Sequence, residues 1–262
     1  MYINNRKVGD EGRNSMKVEF NGVCDKGLHR QTNQDKLYMK SKGRTALFAI
    51  ADGMGGHMHG EYASEHIITE LRKWYELFDE NCYNGKFDNM VFSIRCVLEQ
   101  VNGKVFDSYG KDVMCGSTVV VLFSCDNQYA VLWAGDSRAY LLNGWKTKLL
   151  TVDDVWENQL EIKRNFTMKQ MKDCIHYGKL VNAIGIGVNA KINIKTDLIK
   201  KGACFLLCSD GLYKMCSEKE IRKMMDGYKG TDTGDILMLS YLNRVYDKGA
   251  KDNVSFIIVV YK

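Results

Sequence analysis

Apolar and polar residues alternate along Met16-Lys17-Val18-Glu19-Phe20, the two-residue period of a strand with one buried face. Lys36-Leu37-Tyr38-Met39 and Leu47-Phe48-Ala49-Ile50 predict two more strands. After a glycine-rich turn the period lengthens. Ala63, Ile67, Leu71, Trp74 and Phe78 recur at three- and four-residue spacing, with Glu65, Glu70, Arg72 and Lys73 on the other side, which predicts an amphipathic helix. Met90, Ile94, Val97, Leu98, Val101 and Val105 predict a second. Ser117–Phe123, Gln128–Ala134 and Arg138–Leu142 then read as an antiparallel meander joined by short turns such as Cys125-Asp126-Asn127. From Val155 to Lys179 the chain turns polar and weakly helical, with Thr167-Met168-Lys169-Gln170 offering a capping box. Strands return at Ile192–Ile194 and Phe205–Leu207. Ser217-Glu218-Lys219-Glu220 caps another helix, Ile236–Val245 makes a last one, and Val254–Val260 supplies a closing strand.

Two long helices inserted together among strands, instead of one after each strand, argue for an α+β fold and against a doubly wound sheet. Two antiparallel β-sheets with the helices outside them, a four-layer αββα sandwich, is the simplest packing. No repeat, low-complexity tract or linker interrupts the 262 residues, so 1–262 is expected to form a single domain with an excursion at about 155–180. Hydrophobic residues make up 45% and charged residues 26%, enough apolar material for a large core.

The net charge of +5 comes from lysines scattered along the chain, which does not suggest a nucleic-acid partner. Nine cysteines include no Cys-x-x-Cys pair and sit mostly in apolar runs, as Cys204 and Cys208 do; they read as packing residues in a reducing cytoplasm. The N-terminus lacks an apolar signal core, and no apolar stretch approaches the roughly 20 residues of a membrane span. A soluble, cytoplasmic protein, not a membrane protein, is expected. Proline is absent, so turns rely on 24 glycines and on Asn and Asp.

Four aspartates stand where apolar strands begin or end. Asp52 closes Thr45–Ala51, Asp136 closes Ala130–Gly135, Asp210 closes Cys204–Ser209, and Asp252 precedes Val254–Val260. A carboxylate beside a buried strand is costly unless something pairs it, and several converging on one place demand a cation. Asp52-Gly53-Met54-Gly55-Gly56-His57 joins strand to helix through glycines that let a backbone carbonyl approach a ligand, so Asp52 and the Gly53 carbonyl form a candidate ligand pair. An ordinary capped turn carries about equal weight until the motif repeats at Ser209-Asp210-Gly211 and Lys251-Asp252-Asn253. Oxygen donors without Cys or His partners favour magnesium or manganese over zinc.

Here the chain resembles the metal-dependent protein phosphatase 2C family in its bacterial form. The matching segments are Gly27–Asp35, Asp52–His57, Gly116-Ser117-Thr118, Ala134–Tyr140, Leu150–Asp154, Ser209–Leu212 and Lys251–Val254, in the family's order and across essentially the whole chain. The resemblance implies a protein serine/threonine phosphatase that hydrolyses phosphomonoesters with water held between two Mn2+ or Mg2+ ions and uses no protein nucleophile. It implies that Asp52 bridges both ions, that the Gly53 carbonyl binds one, that Asp210 and Asp252 hold the other, and that Asp35 orients metal-bound water from behind. Asp136 matches the holder of a further, looser metal, and Arg30 the phosphate-binding arginine. A guanidinium fork grips phosphate oxygens at two points, and an Asp of the Asn33-Gln34-Asp35 segment can position it. The partner implied is a phosphorylated protein, opposing a serine/threonine kinase, with the phosphatase itself expected as a monomer.

The family's eukaryotic members carry a histidine after the first Asp-Gly, where this chain has Met54, and Asp154 stands where a histidine is common. His57 and His59 lie nearby. His59 reads as a surface residue, while for His57 a surface role and a proton donor weigh equally. Trp156–Tyr177 corresponds to the family's variable flap. An alternative function, a catalytically weak or inactive phosphoprotein-binding regulatory module of the same fold, rests on Met54 and Asp154 alone. A nuclease would want basic and aromatic groups arranged for a polyanion, and no such pattern is present.

Overall fold

The computed structural model describes residues 2–8, 16–55, 57–109, 115–228, 230 and 234–262, with 2–8 and 57–58 by their backbone alone. Strands β1 (Tyr2–Val8), β2 (Val18–Asp25), β3 (Asp35–Lys42) and β4 (Thr45–Gly55) lead into helices α1 (His57–Glu76) and α2 (Phe87–Tyr109). Next come β5 (Cys115–Cys125), β6 (Gln128–Ala134), β7 (Arg138–Asn143) and β8 (Lys146–Leu149), then the short helices α3 (Leu160–Asn165) and α4 (Met168–Lys172). The chain ends through β9 (Asn193–Leu198), β10 (Cys204–Cys208), α5 (Asp210–Tyr213), α6 (Glu218–Gly227), α7 (Gly234–Asp247) and β11 (Val254–Tyr261).

A six-stranded sheet of order β1-β2-β11-β10-β7-β8 faces a five-stranded sheet of order β3-β4-β5-β6-β9, and the pairings are antiparallel. The central strands read as unbroken apolar runs because both of their faces are buried. On β4, Leu47 and Ala49 pack outward against Ile67 and Leu71 of α1, while Phe48 and Ile50 point between the sheets. On β11, Phe256 and Ile258 meet Met224, Met238 and Leu242 of α6 and α7, and Ile257 and Val259 join the middle layer. Phe20 and Phe48 close the gap between the sheets edge to face, their ring centroids 4.9 Å apart. The result is the expected α+β four-layer sandwich.

One expectation is corrected, and two strands are added. The meander through residues 117–142 breaks after β6. Gly135 takes φ +107, and a Cβ there would stand 2.7 Å from the Thr118 side chain, so only glycine fits the bend that carries the chain into the other sheet. There β7 pairs with β10 and β8 instead of with β6. The edge strands β1 and β8 escaped the periodicity reading because sheet edges carry polar and charged residues, as Asn4-Asn5-Arg6-Lys7 and Lys146-Thr147-Lys148 do.

The excursion is pinned at its base by a bridge between Val155 and Leu180. Its capping box is present: Thr167 Oγ1 accepts the Gln170 N–H at 3.4 Å, and Gln170 Oε1 accepts the Thr167 N–H at 2.9 Å. Among the described residues no helix is long and apolar enough to cross a membrane.

Candidate active site

The antiparallel registers bring one end of each sheet together. Asp35, at the start of β3, is directly opposite Asp52 on β4, and Asp52 in turn faces Thr118 on β5, so the two carboxylates leave the same face of the sheet. Asp210 opens α5 where β10 ends, and Asp252 precedes β11, the neighbour of β10. The Gly135 bend delivers Asp136 to the same end. Arg30, Asp52, Gly53, Asp136, Asp210 and Asp252 all line one cavity of about 790 Å³ between the sheet ends and the Gly178–Leu180 stretch behind the excursion.

Gly53 is required there by close packing and not by a left-handed backbone. A Cβ on it would lie 2.1 Å from the Gly60 carbonyl oxygen and 2.9 Å from that of Gln34. The end of β4 therefore rests on the first turns of α1 backbone to backbone.

The electrostatics are those of crowded acids. Asp52 is held well above the usual carboxylate range by burial, then by Asp35, Asp210, Asp136 and Asp252. Burial pushes Asp35 up to about 7, even though Ser209 donates to its Oδ2 at 2.8 Å. Its Oδ1 is buried without a hydrogen-bond partner. Asp136 is pushed up to about 6 by burial and by Asp210, while Tyr213 donates its hydroxyl to Oδ2 at 3.1 Å. Tyr213 is itself backed by Arg138, whose guanidinium lies 3.7 Å from the ring centroid and forks Asp153.

Two cations answer the remaining acids. Arg30 donates Nε to Asp252 Oδ1 and Nη2 to Asp252 Oδ2, both at 2.8 Å, and Lys214 Nζ lies 2.5 Å from Asp210 Oδ2. Among the described residues no group of three His, Cys, Asp or Glu side chains is drawn into a ready ligand cage. The donor set nevertheless fits a hard divalent ion. It consists of oxygens from Asp52, Asp210 and Asp252 on one cavity, beside a buried unpaired carboxylate oxygen and mutual repulsion that a cation would relieve.

Arg30 is not positioned by Asp35, as expected above. Asp35 is buried between the strands, and the guanidinium, 51% exposed, reaches Asp252 at the rim. His59 lies away from this cavity, its ring edge-on to Tyr109 at 4.8 Å along a separate groove on α1. The side chain of His57 lies outside the described residues.

Three residues have roles that the sequence did not announce. Asn253 accepts the Gln34 N–H at 2.9 Å and donates to the carbonyls of Lys26 and Thr32 at 2.9 and 3.0 Å, tying the Arg30 loop to β11. The amide beside Asp252 was visible, but not its partners. Asp154, the apparent histidine replacement, accepts from the Gly135 N–H at 3.1 Å, Asn182 at 2.7 Å and Asn193 at 2.9 Å, and so fastens the base of the excursion to β6 and β9. Lys214 is the third.

Comparison with known proteins agrees with this geometry. A family model described as protein phosphatase 2C matches residues 12–165. The serine/threonine phosphatase stp of Listeria monocytogenes is 26% identical over 256 residues, covering 93% of this chain and 95% of that protein. Protein phosphatase PhpP of Streptococcus pneumoniae is 29% identical over 220 residues, 79% of this chain and 84% of that one. Among solved structures, PppA, a regulatory component of T6SS in Pseudomonas aeruginosa, superposes with a TM-score of 0.78 at 27% identity, covering 94% of this chain and 98% of that one. The catalytic domain of the phosphatase PstP in complex with 2 manganese ions has the same fold, with a TM-score of 0.72 at 22% identity over 94% of this chain and 99% of that one. Because the model match spans more than half of the sequence and the fold follows it to the last strand, the chain belongs to the protein phosphatase 2C family.

Proposed function

We propose that this protein is a metal-dependent phosphoprotein phosphatase acting on phosphoserine and phosphothreonine. The observation that carries the reading is the convergence of Asp52, Asp210 and Asp252, from three separate strand ends, on one open cavity with Arg30 at its rim. A binding module that had lost catalysis would be expected to have lost one of these acids, and all three are in place. The relatives named as serine/threonine phosphatases support the substrate class.

Asp52, the Gly53 carbonyl, Asp210 and Asp252 would hold two Mn2+ or Mg2+ ions, with Asp35 behind Asp52. Bound there, the ions supply Lewis acidity toward phosphoryl oxygens and toward water. The chain's own residues do the rest. Arg30 has a planar two-point donor face that matches phosphate oxygens as well as it matches a carboxylate. Asp35, buried against Ser209 with one oxygen unpartnered, can accept a proton from water lying toward Asp52 and orient it. Asn253 fixes the loop that aims Arg30.

Hydrolysis of an aryl phosphate and of a phosphothreonine peptide with added manganese tests the reading. The wild type is expected to turn over both, and Asp210→Ala to lose at least about 100-fold in kcat/KM, the scale of removing a metal ligand or its support. An inert wild type, or an undiminished variant, overturns it.

A further inference from the structure

Asp136 matches the position that in many relatives holds a further, looser metal, yet its surroundings here do not suit one. Lys214, one helical turn after Asp210, lines the same cavity as Asp136, and its ammonium is paired to Asp210. The second oxygen of Asp136 already accepts from Tyr213, and that ring is held by Arg138. An outlying divalent ion drawn to Asp136 and Asp210 would meet the Lys214 ammonium already paired to one of those two acids.

We propose that Lys214 is a built-in cation that takes the place of the outlying metal beside Asp136, so that this chain binds two divalent ions and not three. The inference rests on the reading that Asp52, Asp210 and Asp252 hold the core pair. It makes Lys214 a positioning residue: it balances Asp136 and keeps Asp210 aligned without adding a coordination site. The side chain is 56% exposed, so its charge can be removed without opening the core.

Counting bound Mn2+ by equilibrium dialysis and by the loss of its free-ion electron paramagnetic resonance signal tests this without reference to turnover. The wild type is expected to take up two ions per chain. K214A is expected to take up a third, weaker one, and K214A/D136N to return to two. K214M, which keeps the alkyl stem and removes only the charge, is expected to match K214A, with thermal melts confirming that both variants are folded. Three ions in the wild type, the weakest lost in D136N, overturn the inference and leave the core site standing. K214A and K214M both remaining at two also overturn it. Fewer than two ions in the wild type overturn the core reading and the inference with it.

Discussion

Arg30 and Asp252 face each other at the cavity rim in a two-point fork, Nε to Oδ1 and Nη2 to Oδ2, both 2.8 Å. If Asp252 holds metal as proposed, the residue assigned to phosphate competes with the ion for that carboxylate. An ion held by Asp252 would free the guanidinium for a phosphate. Arg30→Ala should therefore do two opposite things. Losing a charged donor to phosphate, worth about 1.5–3 kcal/mol, lowers kcat/KM by about 10- to 100-fold. Freeing Asp252 lowers the manganese concentration needed for half-saturation. Calorimetric Mn2+ titration beside phosphopeptide kinetics checks both, and weaker metal binding in the variant would show that the fork does not compete.

Apolar runs ending in Asp made the strand-end acids legible, because a two-sided strand announces itself by composition and its terminus by the first charge. What joins them was not legible. Arg30 and Asp252 are separated by 222 positions, and nothing local to either names the other. Lys214 four residues after Asp210 looks like an ordinary helix-surface ion pair until the cavity places it near Asp136. Asp154 looked like a lost histidine, whereas its partners Asn182 and Asn193 come from the far side of the excursion. The bend at Gly135 was hidden for a different reason: a glycine between two strands fits a hairpin as well as a change of sheet.

Asp154→Ala should loosen the excursion without unfolding the sandwich. The side chain accepts from Gly135, Asn182 and Asn193; its removal leaves the Gly135 N–H unmatched, while Asn182 and Asn193 keep bonds to the Lys191 and Trp133 carbonyls, so the cost is about 1–3 kcal/mol. At about 2–4 °C per kcal/mol for a chain of this size, the melting temperature falls by several degrees. Limited proteolysis should then cut first within residues 155–192. Asp154→Asn, which keeps one acceptor, should fall between the two. Unchanged cleavage in the Ala variant would remove the anchoring role.

Two glycine-to-alanine changes should move stability in opposite directions. Gly53→Ala puts a methyl 2.1 Å from the Gly60 carbonyl oxygen and forces β4 away from α1, costing about 3 kcal/mol, the upper end of overpacking. Gly103, inside α2, has nothing within 4 Å of an added Cβ, so Gly103→Ala gains helix propensity and stabilises by about 0.5–1 kcal/mol. Urea titrations of the metal-free proteins measure both. Similar losses at the two positions would contradict the packing argument.

Without metal, the protein should lose stability as pH rises from about 4 to 7, the reverse of the usual carboxylate trend. Asp35 and Asp136 have folded values of about 7 and about 6 against 3.8 in an unfolded chain. Between those limits the folded state holds protons that the unfolded state releases. The contribution is most favourable below the unfolded value and is lost as pH climbs through the folded one. For Asp136 the loss amounts to about 3 kcal/mol at most across its window. Thermal melts in EDTA from pH 4 to 8 should show a steeper decline for the wild type than for Asp136→Asn, whose amide does not titrate in this range. Saturating manganese should flatten the wild-type curve in part: burial, the larger cause, remains, while an Asp210 that holds metal would no longer press on Asp35 and Asp136. Parallel curves for wild type and variant in EDTA would mean that Asp136 ionises as freely in the folded protein as in the unfolded chain.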